Sequence, residues 1–326
     1  IKYVFDILKT IDKPIGGIGH RVVQGGWYFP ESAIVTDETL AQVREVAPLA
    51  PLHNYAEADV IEICRDMFPE LGNVIVPDTA FHYHMPEHAW RYALPRDVVD
   101  KYHVRKYGAH GTSHRFIWRT VHEMMGDKTH KLVSCHLGSG ASLCAILDGK
   151  CMDTSMGLTP LDGLIMGTRC GTLDPATVFY LSREAHMSVD EIDTMMNKKS
   201  GLLAVSEVSS DSRDIEAGAA NGDEKCQMAL DMFNYRVSQL FAEMAASMQG
   251  VDTMVFTAGI GENAPEIRAG ICELLGWMGV KIDAEKNAPR SDEPRVISAP
   301  DSAITVMVVP TNEEYMIALD VEELLG

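Results

Sequence analysis

The chain has no cysteine pattern to build on. Cys64, Cys135, Cys144, Cys151, Cys170, Cys226 and Cys272 are odd in number, scattered and without CxxC spacing, which suggests neither a disulfide framework nor a thiolate zinc site. They read as small buried hydrophobes of a reducing, cytoplasmic protein. No signal-peptide pattern is seen, and no apolar run reaches the length of a membrane span. Positive charge is scarce: 28 Lys and Arg face 47 Asp and Glu, a net charge of −19. That balance repels nucleic acid and anionic membranes and argues against either as a partner. Internal repeats and low-complexity linkers are also lacking. There is no GxxxxGK followed by Ser or Thr, and GIGEN lacks the full GxGxxG spacing.

What is present describes a large folded α/β protein. With 326 residues, 46% hydrophobic and 23% charged, the chain is long enough for two domains. It opens inside an amphipathic helical pattern, IKYVFDILKT. An apolar segment, GGIGHRVVQGG, precedes a helix from Asp37 to Val46 with Thr36 as N-cap, a second helix over 56–67 and the strand NVIVPDTAF. KLVSCHL, ASLCAIL and KCMDTSM predict a three-stranded meander, its turns made by Gly-Ser-Gly and by Asp148-Gly149. Helices are predicted from Asp174-Pro175, with Pro at the first helical position, and from Ser188, with Glu191 completing a capping box. Apolar residues at 226, 230, 233, 237, 240, 244 and 248 mark one face of a long core helix. TMVFTAGIGENAPEI then reads as strand, glycine turn and helix, and the chain closes with a strand and a capped helix.

Three glycine turns follow strands: Gly138-Ser139-Gly140, Gly167 to Gly171, and Gly259-Ile260-Gly261 with Asn263. Such turns let backbone N–H groups approach a phosphate, although each alone is equally a plain turn. Against the acidic background, an anionic ligand needs local positive charge, and Arg21 and Arg169 lie beside glycines. Asp78, after the apolar run NVIV, and Glu313, after VMVVP, sit where a sheet delivers side chains to a crevice. Either is also readable as a cap, Glu313 within a T-x-x-E box. HYH at 82–84, read as strand, would put two imidazoles on one face without supporting carboxylates, a poor metallohydrolase centre. His110 and His136 are better placed to donate to a phosphoryl group.

HRVVQGG, APLHN, PDTAFH, RKYGAHGTSH, SCHLGSG, DTSMGLTPLDGL, MGTRCGTLDPA, KKSGLL, SSDSRD, FTAGIGEN and PTNEE, in this order along nearly the whole chain, together resemble the acetate kinase family. The resemblance implies the actin-like, sugar-kinase-like ATPase fold, two domains of related topology around a nucleotide cleft. The first domain would comprise residues 1–82 plus 315–326 and the second 83–314. It implies Mg²⁺-dependent, reversible in-line transfer from ATP to acetate, giving ADP and acetyl phosphate. Arg21 and Arg169 would flank the transferred group, His110 would stabilise it, Asp78 would be catalytic, and Glu313 would serve the metal. Arg21, Val23, Leu52 and Pro160 would receive acetate. His136, Gly138, Ser139, Gly140, Asp211, Ser212, Arg213, Gly259, Ile260, Gly261 and Asn263 would hold the nucleotide. A homodimer is implied as well.

The departures are Ser139 where the family usually has Asn, Gln24 in place of His, and Pro77 where Phe often precedes the Asp. The family's amino-terminal strand, with its serine-rich phosphate turn, has no counterpart in the chain. A propionate or other short-chain acyl kinase is the alternative within the family; a nucleotide-binding module without turnover is the alternative outside it.

Overall fold

The computed structural model describes residue 10, residues 14–51 and residues 53–326; the amphipathic helix expected at the start of the chain and Leu52 lie outside the described residues. Strand β1 (Gly17–Val22) pairs in parallel with β3 (Gly72–Pro77), and the short β2 (Ala33–Ile34) pairs antiparallel on the other side of β3. Helix α1 (Asp37–Glu45) starts at Thr36, whose hydroxyl accepts from the Thr39 N–H while the Thr39 side chain accepts from the Thr36 N–H. Helix α2 (Asn54–Met67) begins earlier than its apolar pattern predicts. The cause is Asn54, which donates to the Gln24 carbonyl at 2.7 Å and accepts the Gln24 N–H at 3.1 Å. Val22, Leu40, Val43, Ala58, Ile61 and Ile75 form the core of this layer.

Strand β3 ends at Pro77, and the Asp78 N–H adds a last ladder bond to the Val22 carbonyl. Residues 80–82 form a 3₁₀ turn, with the Tyr83 N–H on the Ala80 carbonyl at 3.0 Å. HYH is therefore not a strand: His82 is buried and His84 is exposed. Helix α3 (Gly111–Met125) then leads to the second sheet.

That sheet has six strands in the order β6-β5-β4-β7-β9-β8 among the described residues. Strands β4 (Lys131–Leu137), β5 (Ala141–Leu147) and β6 (Lys150–Thr154) are the expected meander. Helix α4 (Ala176–Glu184) uses Pro175 as its N-cap position rather than its first turn, and Asp174 accepts the Ala176 N–H at 2.9 Å. The Ser188–Glu191 box opens α5 (Val189–Lys198) as predicted. After α6 (Ser212–Ala220), the long α7 (Glu224–Ser247) buries the predicted stripe, with Leu230 only partly covered. Strand β7 (Thr253–Thr257) runs parallel to β4, and the GIGEN segment is itself helical, α8 (Ala258–Asn263), before α9 (Pro265–Leu274). Strands β8 (Arg295–Val296) and β9 (Thr305–Val308) and helix α10 (Glu313–Leu325) complete the chain.

Period-2 alternation assigns the two faces of this sheet. Val133, Cys135 and Leu137 of β4 pack with Phe233, Val237 and Phe241 of α7. Leu132 turns the other way, onto Ile117 and Val121 of α3. Ser134 and His136 share that second face, which is how polar groups reach the α3 side of an otherwise apolar strand. Helix α10 lies against β1 and β3, where a Cβ on Gly19 would overlap Ile317.

Candidate active site

The first sheet supplies a charged pair. Arg21 lies near the end of β1, and the Asp78 N–H extends the ladder by donating to the Val22 carbonyl at 2.8 Å. The two side chains therefore leave the sheet together. Arg21 Nε donates to Asp78 Oδ1 at 3.1 Å and Nη2 to Oδ2, a two-pronged fork. Thr112 Oγ1 adds a contact at 3.4 Å. Burial works against the Arg21 charge, but Asp78, Glu313 and Glu57 outweigh it and raise its pKa.

Glu313 is the first residue of α10, and the cap is Asn312, whose side chain accepts the Tyr315 N–H at 2.9 Å. Freed from capping, Glu313 turns inward. Its Oε1 is buried with no hydrogen-bond partner, and burial, then Asp78, push its pKa up against the pull of Arg21. A half-buried carboxylate with an unpaired oxygen beside a second carboxylate is short of a cation. That donor set of hard oxygens fits Mg²⁺.

The second sheet supplies imidazoles. His110 precedes α3 in a left-handed conformation, φ +57°, which aims its ring across the end of β4, and it stacks on His136 with centroids 4.1 Å apart. His110 Nδ1 lies 2.8 Å from Ser142 Oγ, and the same hydroxyl lies 2.9 Å from His114 Nε2, whose Nδ1 is 2.9 Å from Ser134 Oγ. His136 Nδ1 lies 2.8 Å from Ser113 Oγ. Burial lowers all three rings, His136 to about 4 with Arg21 assisting. At neutral pH they are uncharged. Two proton orders satisfy every contact of the His110–Ser142–His114–Ser134 chain; in the one where Ser134 donates to His114, His114 to Ser142 and Ser142 to His110, His110 Nε2–H is left as a free donor.

Arg169 comes from the loop after Met166. Its Nη1 donates to the Pro160 carbonyl at 3.2 Å, and burial lowers its pKa. Gly201 packs so closely beneath this loop that a Cβ would overlap the Met166 carbonyl, and its φ is +66°. A methyl placed on Gly140 would lie 3.4 Å from His110 Nε2 and 3.6 Å from Arg169 Nη1. The charges of Arg21 and Arg169 both act on His110, and both act on His53. Arg21, His110 and Arg169, distant in sequence, thus border one space.

Next to it is a cavity of about 700 Å³, lined by Gly138, Ser139, Asp211, Ser212, Arg213, Gly259, Ile260 and Asn263. Gly140 is not on its wall and faces the arginine–histidine group. Gly261 is buried in α8, its carbonyl accepting from Arg268 at 2.9 Å. Arg213 is exposed and clasps Asp211, whose pKa falls to about 2 through that pairing. Glu216 and Arg290 also line the cavity and were not anticipated.

Val23 is buried, its N–H on Glu57 Oε2 at 3.0 Å. Pro160 is reached through Arg169, and Gln24 Nε2 donates to the Leu158 carbonyl at 3.4 Å, tying the end of β1 to the same turn. Leu52, the remaining acetate candidate, is outside the described residues. Reading the sequence missed Glu57, Ser142 and Glu262. Glu262 Oε1 accepts from Ala258 N–H at 2.8 Å and Thr311 N–H at 3.1 Å, fastening the approach to Glu313. The only signal for Ser142 was its in-register place opposite His136.

A model of the Acetokinase family matches residues 2–319. The chain belongs to the acetokinase family. Among curated acetokinases, the acetate kinase of Thermoanaerobacterium thermosaccharolyticum is 47% identical over 335 residues, covering 100% of this chain and 84% of the relative. The solved acetate kinase of Porphyromonas gingivalis superposes with a TM-score of 0.93 at 43% identity, covering 100% of this chain and 84% of that one. A solved propionate kinase from Francisella tularensis gives 0.93 at 42%, covering 99% and 82%. The chain thus has the α/β fold of the solved acetate kinases, built on two sheets. No helix among the described residues is long and apolar enough to cross a membrane.

Proposed function

We propose that the chain is an acetate kinase, transferring the terminal phosphoryl group of ATP reversibly to acetate to give ADP and acetyl phosphate. The observation that carries this reading is the convergence at Gly140 of a neutral His110 and the Arg169 guanidinium, one residue from Ser139 on the large cavity. A carboxylate oxygen of acetate attacks the γ-phosphorus, and the bond to the bridging oxygen breaks in line, its electron pair leaving on ADP. Arg21 and Arg169 neutralise the equatorial oxygens, and His110 Nε2–H donates to one of them. No protein nucleophile is needed, since alignment and charge do the work. Glu313, with Asp78, would hold Mg²⁺, which supplies charge neutralisation on the nucleotide phosphates. Asp78 also orients Arg21 through its fork.

In this reading Asp211, Ser212, Arg213, Gly259, Ile260 and Asn263 take the nucleoside, and Gly138, Ser139 and Gly140 take the phosphates with His136 behind them. Gly261 acts by letting α8 pack closely and makes no contact itself. Val23, Pro160 and Leu52 take the methyl end of acetate. Residues 1–82 with 315–326 form one domain and 83–314 the other, a division supported by their separate sheets. Six buried free thiols among seven suit a cytoplasmic location, and a homodimer follows from the resemblance alone.

Trapping acyl phosphate as its hydroxamate, with ATP, Mg²⁺ and acetate, tests the activity. ATP binding without hydroxamate would sink it in favour of a binding module. An apolar pocket separates acetate from propionate by only about 1–3 kcal/mol per methylene, so a rate series over acetate, propionate and butyrate fixes the acyl preference.

A further inference from the structure

Cys144 and Cys151 flank the Asp148-Gly149 turn, and His82 is far from both in sequence, so spacing alone reads no thiolate site. Folding gathers them. The β5–β6 ladder has an irregularity at Ala145/Ile146, and the two Sγ atoms come to 3.5 Å. The 3₁₀ turn after β3 lays His82 Nδ1 3.1 Å from Cys151 Sγ and 3.9 Å from Cys144 Sγ. All three residues are buried, and their ligand atoms lie within 4.8 Å of one another.

The imidazole is also set in the right tautomer. His82 Nε2 lies 2.9 Å from the Ala109 carbonyl. A carbonyl only accepts, so Nε2 carries the proton and the lone pair of the neutral ring is on Nδ1, facing the sulfurs. A ring whose second nitrogen donates to a backbone carbonyl is the usual support of a metal-bound histidine. Edges of 3.1–3.9 Å match ligands gathered around an ion with bonds of about 2.0–2.3 Å.

We propose that His82, Cys144 and Cys151 form a site for a divalent thiophilic ion of the zinc type. Charge selects the valence. Two thiolates and a neutral imidazole cancel a dication, and the neutral complex suits surroundings of Ile117, Val121, Leu132, Ile146 and Val255, where an unbalanced charge would be costly. Binding makes two metal–sulfur bonds and releases the protons the sulfurs still carry, with no change in oxidation state. Cys151 lines a cavity of about 410 Å³ bordered by Phe81, Thr112 and Arg115, which gives the ion an entry and leaves a water the fourth position. The site borders the imidazole chain, with the His82 ring edge-on to His114 at 5.7 Å between centroids, but it does not rest on the kinase reading.

The test uses the whole reduced, chelator-treated chain. Titration with Zn²⁺ against a chromophoric chelator should show one ion bound per chain with proton release, and Co²⁺ should develop a thiolate-to-cobalt charge-transfer band. The C144S/C151S variant should lose that band and bind Zn²⁺ at least about 100-fold more weakly. Should that variant fail to fold, the unaltered chain still decides. Cobalt bound without a thiolate band, or zinc taken up without proton release, overturns the proposal.

Discussion

Arg169 is half-buried against the Pro160 carbonyl and the Met166 sulfur, so its charge is available to a ligand. Arg169→Ala is expected to lower kcat by about 10²–10³ while nucleotide KM stays within a few-fold, measured by hydroxamate trapping. Arg169→Lys should restore little, because an ammonium lacks the planar fork. Glu313→Gln should raise the Mg²⁺ needed for half-maximal rate by about 10-fold or more, read from a Mg²⁺ titration at saturating ATP. His136 gives a stability signature. Its pKa in the folded chain is about 4 against an ordinary 6.5, so the unfolded chain binds the proton more tightly. Stability is therefore full above about pH 6.5 and is lost as pH falls toward 4, by about 3 kcal/mol from this ring alone. Urea midpoints at pH 7 and pH 5 should show the loss, and His136→Gln should reduce it.

At the scale of elements, the capping residues were legible because their signals are local: Thr36 and Ser188 start helices as read. The HYH and GIGEN segments were misread: HYH is a local 3₁₀ turn closed by the Tyr83 N–H on the Ala80 carbonyl, and α8 is fastened by Glu262, which accepts from the Ala258 N–H and from the distant Thr311 N–H. Gly17 and Gly19 of GGIGH had no local explanation, and contact with α10 provides one. Gly19→Ala should therefore destabilise the chain by about 1–3 kcal/mol. Adding Ile317→Ala should make the pair less than additive, because the overlapping methyl is gone; denaturant midpoints of the two single variants and the double variant measure this coupling.

For the whole molecule, the arginine–histidine group draws on both sheets, while the large cavity beside it is lined from the second sheet's side alone. Nucleotide binding should stabilise the chain by mass action, about 2.7 kcal/mol at one hundred times Kd. Mg-ADP should shift calorimetric unfolding of both sheets together if the ligand is held between them; a shift confined to one transition would place the nucleotide on the second sheet alone. The acidic surface, at −19, makes local arginines decisive for anions at this scale too.

The sequence by itself determined the meander, the long α7 and the helix starts at Thr36 and Ser188, because alternation, helical period and capping signals act over short ranges. Tertiary structure alone decided that Glu313 keeps an unpaired oxygen beside Asp78, that Ser142 links His110 to His114, and that His82 meets two cysteines. Each of these depends on which side chains from separate strands share a face and on what burial then does to their charges. No spacing along a chain contains that information.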